Sequence, residues 1–247
     1  MSNYGDIIAI GGGGFGRDPE NRVIEEYILK QSNLSKPRIC FFPTASAESI
    51  DYLKNYYKAF SKLNCDPIDI SLFSRTPDLE KSIQSSDIIY IGGGNTKSML
   101  AVFAEWNIDK LLLDAYHQGK ILAGVSAGAI CWFKFGVTDS WDSELKVLNC
   151  LDMLPGCCCP HYNGEEDRRP SVLNMIKNDT IDSCYAIEDG AALHYKNNQL
   201  FTGISFYDAS QAFELSKNNN QILEYPIKMI SINKNLLISI IIRQDLF

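Results

Sequence analysis

The sequence has no surplus of basic residues and no long apolar run. Its 23 lysines and arginines stand against 30 aspartates and glutamates, which gives a net charge of −7 at pH 7. Nucleic-acid-binding proteins need a basic surface for the phosphate backbone, so we expect no nucleic-acid partner. A membrane-spanning helix needs roughly 20 consecutive apolar residues. The apolar run at residues 236–242 is much shorter and predicts a strand, so we expect no membrane partner either.

Signals for export and for metal binding are also lacking. Residues 1–6 contain neither a basic nor an apolar segment, so the sequence predicts no secretory signal and a cytoplasmic protein. The thiols of its eight cysteines are then expected to stay reduced. Three cysteines at residues 157–159 stand near His161, but adjacent side chains point in different directions and no CxxC pair occurs elsewhere. We therefore expect no metal site.

Short apolar runs alternate with amphipathic stretches through the first half of the chain. Such continuous runs are typical of strands buried on both faces of a parallel sheet. The predicted strands are residues 7–10, 39–42, 68–73, 88–91 and 121–125, with shorter ones at 184–187, 191–195 and 200–204. The predicted helices are residues 20–31, 47–63, 96–103, 109–117, 127–133 and 169–177. This order indicates an α/β fold with a doubly wound, mostly parallel sheet flanked by helices. We expect one domain over residues 1–247, with an unassigned tail from about 214 to 247.

A serine stands in a tight glycine turn between a predicted strand and a predicted helix. The segment fits the G-x-S-x-G nucleophile elbow and reads Gly124-Val125-Ser126-Ala127-Gly128. In that geometry the serine oxygen is exposed above the sheet, and the N–H of Ala127 can stabilise an oxyanion. The alternative is a turn whose serine only caps a helix.

Two further glycine turns follow predicted strands. In the turn at residues 92–96, the N–H of Gly93 or Gly94 can complement that of Ala127, or else Asn95 or Thr96 simply caps a helix. The turn at residues 11–16 matches G-x-G-x-x-G. A dinucleotide site also needs an acidic residue about 20 positions later, at the end of the next strand, and that strand ends without a carboxylate. We therefore expect no bound cofactor.

A nucleophilic serine needs a general base and a group that orients the base. The chain has three histidines. His117 ends a predicted helix and His194 lies in an alternating strand, so His161 in a loop-like stretch is the candidate base. The candidate orienting acids are Asp139, Asp142, Glu144, Glu188 and Asp189. Adjacent strand residues face opposite sides, so only one of Glu188 and Asp189 can reach His161, and the pattern does not say which.

Taken together, these segments resemble the peptidase E family of serine peptidases. The resemblance rests on residues 92–96, residues 124–129 and Pro160-His161, and extends from about Ile7 to Phe213. It implies a fold similar to class I glutamine amidotransferases, a flavodoxin-like three-layer sandwich. It also implies hydrolysis of dipeptides with an N-terminal aspartate, without metal or cofactor.

For the site, the resemblance implies Ser126 as nucleophile and His161 as base, with Gly93 or Gly94 and Ala127 as oxyanion donors. The family's acid lies directly before the glycine of a motif similar to Glu188-Asp189-Gly190. That favours Asp189, with Glu188 second and Asp139 third.

Three polar side chains are candidates for binding the substrate. Arg168 and Arg169 can pair bidentately with a substrate carboxylate, or else neutralise the acidic residues 165–167, and Asn95 is a further candidate. The expected partner is a small peptide, and the oligomeric state stays open between monomer and homodimer.

One alternative function is that of a relative with the same nucleophile and another substrate, for example a cyanophycinase-like enzyme that cleaves β-linked aspartyl-arginine. Another is a non-catalytic binding or sensor protein on the same scaffold.

Overall fold

The structure is a computed structural model that describes residues 4–75, 78–219 and 221–232. The predicted strand at residues 236–242 lies outside the described residues, as do residue 220 and the rest of 233–247 in the unassigned tail. None of the helices in these ranges is both long enough and apolar enough to cross a membrane.

A large sheet of eight strands forms one half of the molecule. Its strand order is β14-β11-β10-β1-β5-β4-β2-β3. Five neighbouring strands of this sheet, β1, β5, β4, β2 and β3, run parallel to one another. Their bounds are β1 Asp6–Ile10, β2 Arg38–Phe42, β3 Asp66–Asp69, β4 Ile88–Ile91 and β5 Ile121–Val125. The sheet continues with β10 Ala191–Lys196 antiparallel to β1, then β11 Gln199–Ser205 and β14 Met229–Ser231. The predicted α/β fold with a mostly parallel sheet is confirmed.

Three of the seven helices in the described ranges begin where a polar side chain accepts a backbone N–H. Ser49 caps α2, Asp78 caps α3 and Asn95 caps α4 in this way. The helices are α1 Val23–Lys30, α2 Ile50–Phe60, α3 Leu79–Gln84, α4 Thr96–Glu105, α5 Ile108–His117, α6 Ala127–Ile130 and α7 Arg168–Lys177.

A second sheet of six strands was not predicted. Its order is β13-β12-β9-β8-β6-β7. The strands are β6 Phe133–Thr138, β7 Lys146–Asn149, β8 Leu154–Cys159, β9 Ser183–Ile187, β12 Ala212–Asn218 and β13 Gln221–Pro226. The predicted helix at residues 127–133 is therefore too long, because α6 ends at Ile130 and Phe133 already begins β6. The predicted strand at 68–73 is displaced, because β3 ends at Asp69.

Apolar side chains on both faces of the large sheet are buried, as the continuous runs require. Along β1, Ile7 and Ala9 pack into one core, and Ile8 and Ile10 pack into the other. A third core lies between the second sheet and α7. All eight cysteines fall in the described ranges, where each is a free thiol. Both faces of β1 and β5 are thus fixed by packing, which holds the loops at their carboxyl ends in place.

Candidate active site

Ser126 lies in the sharp turn between β5 and α6. Its backbone has φ 55° and ψ −111°, a region that non-glycine residues rarely occupy. The turn is held by the Ser126 N–H, which donates to Ile10 O at 2.9 Å, and by the Ser126 carbonyl, which accepts from Ala129 and Ile130. A side chain at Gly124 would collide with the Gly128 carbonyl, so the elbow needs both glycines. The strained turn points the Ser126 side chain into a cleft.

His161 follows β8 and hydrogen-bonds Ser126. Its Nε2 lies 2.8 Å from Ser126 Oγ, and only 9% of the residue is exposed. The backbone of His161 is also left-handed, with φ 52°, and its N–H donates to Gly11 O at 3.3 Å. With the ring proton on Nδ1, Nε2 is a free acceptor for the serine hydroxyl.

Asp189 lies in the turn between β9 and β10 and hydrogen-bonds that imidazole. Its Oδ1 accepts from His161 Nδ1 at 2.6 Å, and its own N–H donates to Asn163 Oδ1 at 3.0 Å. Burial raises the pKa of Asp189, but hydrogen bonds from His161 and Arg17 lower it further, so its pKa lies below the ordinary value. The carboxylate therefore stays ionised to a lower pH than an ordinary aspartate does.

The acids that the resemblance ranks second and third lie elsewhere. Glu188 Oε2 accepts the Gln211 N–H at 2.8 Å, because its side chain points to the opposite side of the strand end. Asp139 Oδ1 lies 3.9 Å from Arg168. Of the three, the structure brings Asp189 to His161.

Of the predicted oxyanion donors, Gly93 and Ala127 flank Ser126. A Cβ on Gly93 would lie 3.3 Å from Ser126 Cβ, and the Gly93 N–H donates to the Tyr52 hydroxyl at 3.2 Å. Ala127 is the first residue of α6, where backbone N–H groups have no partner within the helix. Gly94 has φ 137° and packs against the Ala45 carbonyl instead.

A cleft of about 240 Å³ opens over these groups. Its described lining residues are Gly13, Gly16, Arg17, Tyr52, Gly93, Val125, Ser126 and His161. The turn at residues 11–16, which has the spacing of a dinucleotide motif, thus forms one wall of the cleft. A Cβ on Gly12 would collide with Asp189 Oδ1 and lie 2.6 Å from His161 Nδ1. The glycine there leaves room for the His161–Asp189 pair.

Arg17 belongs to this site, and the sequence did not indicate it. Its Nη1 donates to Asp189 Oδ2 at 2.5 Å, and its Nη2 lies 3.5 Å from His161 Nδ1. The side chain is 59% exposed. The only available signal was its position directly after a glycine turn, because its partner Asp189 lies 172 residues further along the chain.

The three predicted substrate-binding side chains are engaged elsewhere, and none is among the described residues that line the cleft. Asn95 caps α4 through Ser98 and donates to the Ser140 carbonyl at 2.7 Å. Arg168 is buried, where its Nε donates to Glu165 at 2.6 Å, and it borders a separate cavity of about 680 Å³. Arg169 pairs with Glu224 at 2.7 Å. Their expected role does not fit these positions, since each of the three side chains is hydrogen-bonded elsewhere in the protein.

The other two histidines have structural partners. His194 lies in β10 with no exposed surface, between the Tyr27 hydroxyl at 2.7 Å and Asp6 at 2.9 Å. His117 is the last residue of α5 and packs against the ring of Tyr4.

Comparisons with known proteins agree on one family. The model of peptidase family S51 matches residues 7–203. The chain is 46% identical over 222 residues to the uncharacterized peptidase YgaJ of Bacillus subtilis, a match that covers 90% of this chain and 96% of YgaJ.

Two solved structures share the fold. One is a peptidase from an acI-B1 actinobacterium, with a TM-score of 0.68, 17% identity and coverage of 91% of this chain and 96% of that one. The other is a putative peptidase E protein from Listeria monocytogenes, with a TM-score of 0.61, 21% identity and coverage of 80% and 97%.

Proposed function

The chain belongs to peptidase family S51, and from this membership and the geometry of its cleft we propose that it is a serine peptidase acting on short peptides. Dipeptides with an N-terminal aspartate are the first substrates to test. The observation that carries the proposal is one continuous chain of hydrogen bonds. It runs from Ser126 Oγ to His161 Nε2 at 2.8 Å and from His161 Nδ1 to Asp189 Oδ1 at 2.6 Å.

The reaction is acyl transfer to water. Ser126 Oγ attacks the peptide carbonyl while His161 Nε2 takes the hydroxyl proton, which the imidazolium then gives to the leaving amine. A water molecule, activated by His161 in the same way, hydrolyses the acyl-enzyme and restores the serine. Asp189 stabilises the imidazolium in both halves of the reaction.

The backbone of Gly93 and Ala127 supplies the oxyanion donors. Both groups flank Ser126, and donors placed beside the nucleophile stabilise the charge that develops in the tetrahedral intermediate. The Tyr52 hydroxyl holds the Gly93 N–H at 3.2 Å in the structure. The substrate oxygen must therefore compete with Tyr52 for that donor.

The size and charge of the cleft support a short substrate. Its volume of about 240 Å³ is below the range of roughly 300–1,000 Å³ typical of pockets for drug-sized ligands. No carboxylate is among the described residues that line it. An arginine side chain, as in β-linked aspartyl-arginine, would have no partner there.

The decisive experiment combines turnover with labelling. The purified protein is assayed against Asp-X, Glu-X, Ala-X and acyl-ester substrates, next to Ser126→Ala and the exposed control Ser98→Ala. We expect hydrolysis by the parent and by Ser98→Ala, and loss of turnover in Ser126→Ala with an unchanged melting temperature. A fluorophosphonate should modify Ser126 alone. A parent protein that neither hydrolyses nor reacts would be a non-catalytic scaffold, and turnover that survives Ser126→Ala would also overturn the proposal.

A further inference from the structure

The guanidinium of Arg17 faces both the triad and the open cleft. Nη1 donates to Asp189 Oδ2 at 2.5 Å, while 59% of the Arg17 side chain remains exposed. A guanidinium has five N–H donors in a rigid fork, so one bond to Asp189 leaves most of its donors unused. Arg17 is the only permanently charged side chain among the described residues that line the cleft.

The loop that carries Arg17 is held by two side-chain hydrogen bonds, one of them to the buried Glu25. The Phe15 N–H donates to Glu25 Oε1 at 2.7 Å, and the Gly14 N–H donates to the Tyr207 hydroxyl at 3.2 Å. The Arg17 N–H closes the turn on the Gly14 carbonyl at 3.0 Å. A cation on a fixed backbone binds an anion with little loss of conformational entropy.

The charges around His161 favour an anion at this point. Asp189 balances Arg17 while the imidazole is neutral, but proton uptake places a second cation beside Arg17, whose Nη2 lies 3.5 Å from Nδ1. Two positive charges at this distance repel each other. A carboxylate on the exposed side of Arg17 would offset that repulsion.

We infer that Arg17 binds a carboxylate of the substrate through its unused N–H groups while it keeps its bond to Asp189. The inference rests on the proposed hydrolysis at Ser126. It makes Arg17 the residue that selects anionic peptides and links substrate charge to the acid of the triad. The carboxylate is either the side chain of an N-terminal acidic residue or the carboxyl terminus of a dipeptide.

Two pairs of substrates distinguish these sources. Asp-Leu against Asn-Leu isolates the side-chain carboxylate, and Asp-Leu against Asp-Leu-amide isolates the terminal one. Values of kcat/KM are compared for the parent, Arg17→Gln and the control Arg22→Gln, which removes the same charge from a residue outside the cleft lining. The parent should prefer the acid in one pair, and Arg17→Gln should reduce that preference about 10- to 100-fold, the value of hydrogen bonds to a charged group. Arg22→Gln should keep it.

An equal loss on all four substrates in Arg17→Gln, with the acid preference unchanged, would reduce Arg17 to a positioning residue for Asp189 and overturn the inference. A parent without acid preference in either pair would do the same. Calorimetric binding of Asp-Leu to Ser126→Ala and to Ser126→Ala/Arg17→Gln needs no turnover. If the parent hydrolyses none of the four substrates while binding of Asp-Leu still depends on Arg17, the proposed function is overturned and the carboxylate site at Arg17 stands.

Discussion

The backbone of Gly12 lies directly against the carboxylate of Asp189. The two residues form an isolated parallel bridge, and the Gly190 N–H donates to the Gly12 carbonyl at 2.8 Å. A methyl group at position 12 would occupy the space of Asp189 Oδ1. One glycine of the first turn is therefore part of the geometry of the proposed triad.

Gly12→Ala should inactivate the enzyme with little effect on stability. Gly12 is not among the described glycines with positive φ, so alanine fits the backbone, and the conflict is confined to the His161–Asp189 pair. A misplacement of about 1 Å in such a pair can lower the rate by about 100-fold. The kcat and the melting temperature of the variant are compared with those of the parent. Full activity would show that the His161–Asp189 contact is not needed.

Asp189→Asn should lower kcat far more than Glu188→Gln. Asparagine preserves the shape but favours the wrong imidazole tautomer, an effect of about 10,000-fold in a comparable triad. Glu188 only accepts the Gln211 N–H, an acceptor that glutamine retains. The two kcat values at pH 7.5 check this ranking, and the reverse order would assign the acid to Glu188.

Glu25 should make the protein less stable as the pH rises. Burial is the main cause that raises its pKa from 4.5 to about 7, against the opposing hydrogen bond from the Phe15 N–H. Its Oε2 is buried without a hydrogen-bond partner among the described residues. Between pH 4.5 and 7 the folded state binds more proton than the unfolded chain, so the free energy of unfolding falls with pH, by an amount on the order of 3 kcal/mol.

Glu25→Gln should remove this decline, because glutamine cannot ionise and still accepts from Phe15. Urea unfolding at pH 5, 6, 7 and 8 gives the slope for the parent and the variant, with Glu26→Gln from the same helix as the control. If the free energy of unfolding falls with pH equally in the parent and in Glu25→Gln, Glu25 is not the cause of the decline.

Substitutions of Arg168 and Arg169 should affect the stability of the protein to different degrees and leave its activity unchanged. Arg168→Met removes a buried cation from Glu165 and the Val137 carbonyl, and the loss of these hydrogen bonds should lower the free energy of unfolding by roughly 2 kcal/mol. Arg169→Gln breaks an exposed pair with Glu224 and should change it by less than about 1 kcal/mol. Below the melting transition, both variants should hydrolyse peptides with the parent's KM. A raised KM in Arg169→Gln would return that residue to the substrate site.

The sequence predicted those parts of the site that depend on local backbone. The elbow around Ser126 needs a strand, two glycines and a helix in sequence, and all are visible in the pattern. His161 followed from elimination, because the chain offers few histidines. The large sheet followed from its continuous apolar runs.

The sequence did not predict the features that depend on contacts between residues far apart in the chain. The bond from Arg17 to Asp189 joins positions 172 residues apart, and no local pattern encodes it. The second sheet was missed for a similar reason. Phe133 to Phe135 resembles the continuation of an amphipathic helix, and only pairing with β7 and β8 makes it a strand. The arginines at 168 and 169 were conspicuous in the sequence, but their acidic partners could be located only in three dimensions.

The proposed triad is assembled across the boundary between the two sheets. Ser126 follows β5 of the large sheet, His161 follows β8 of the second, and Asp189 lies where the chain crosses from β9 to β10. The proposed activity therefore depends on the exact position of one sheet relative to the other. A slip too small to change the circular dichroism spectrum would still separate Oγ from Nε2, so under mild denaturant turnover should disappear before the fold does.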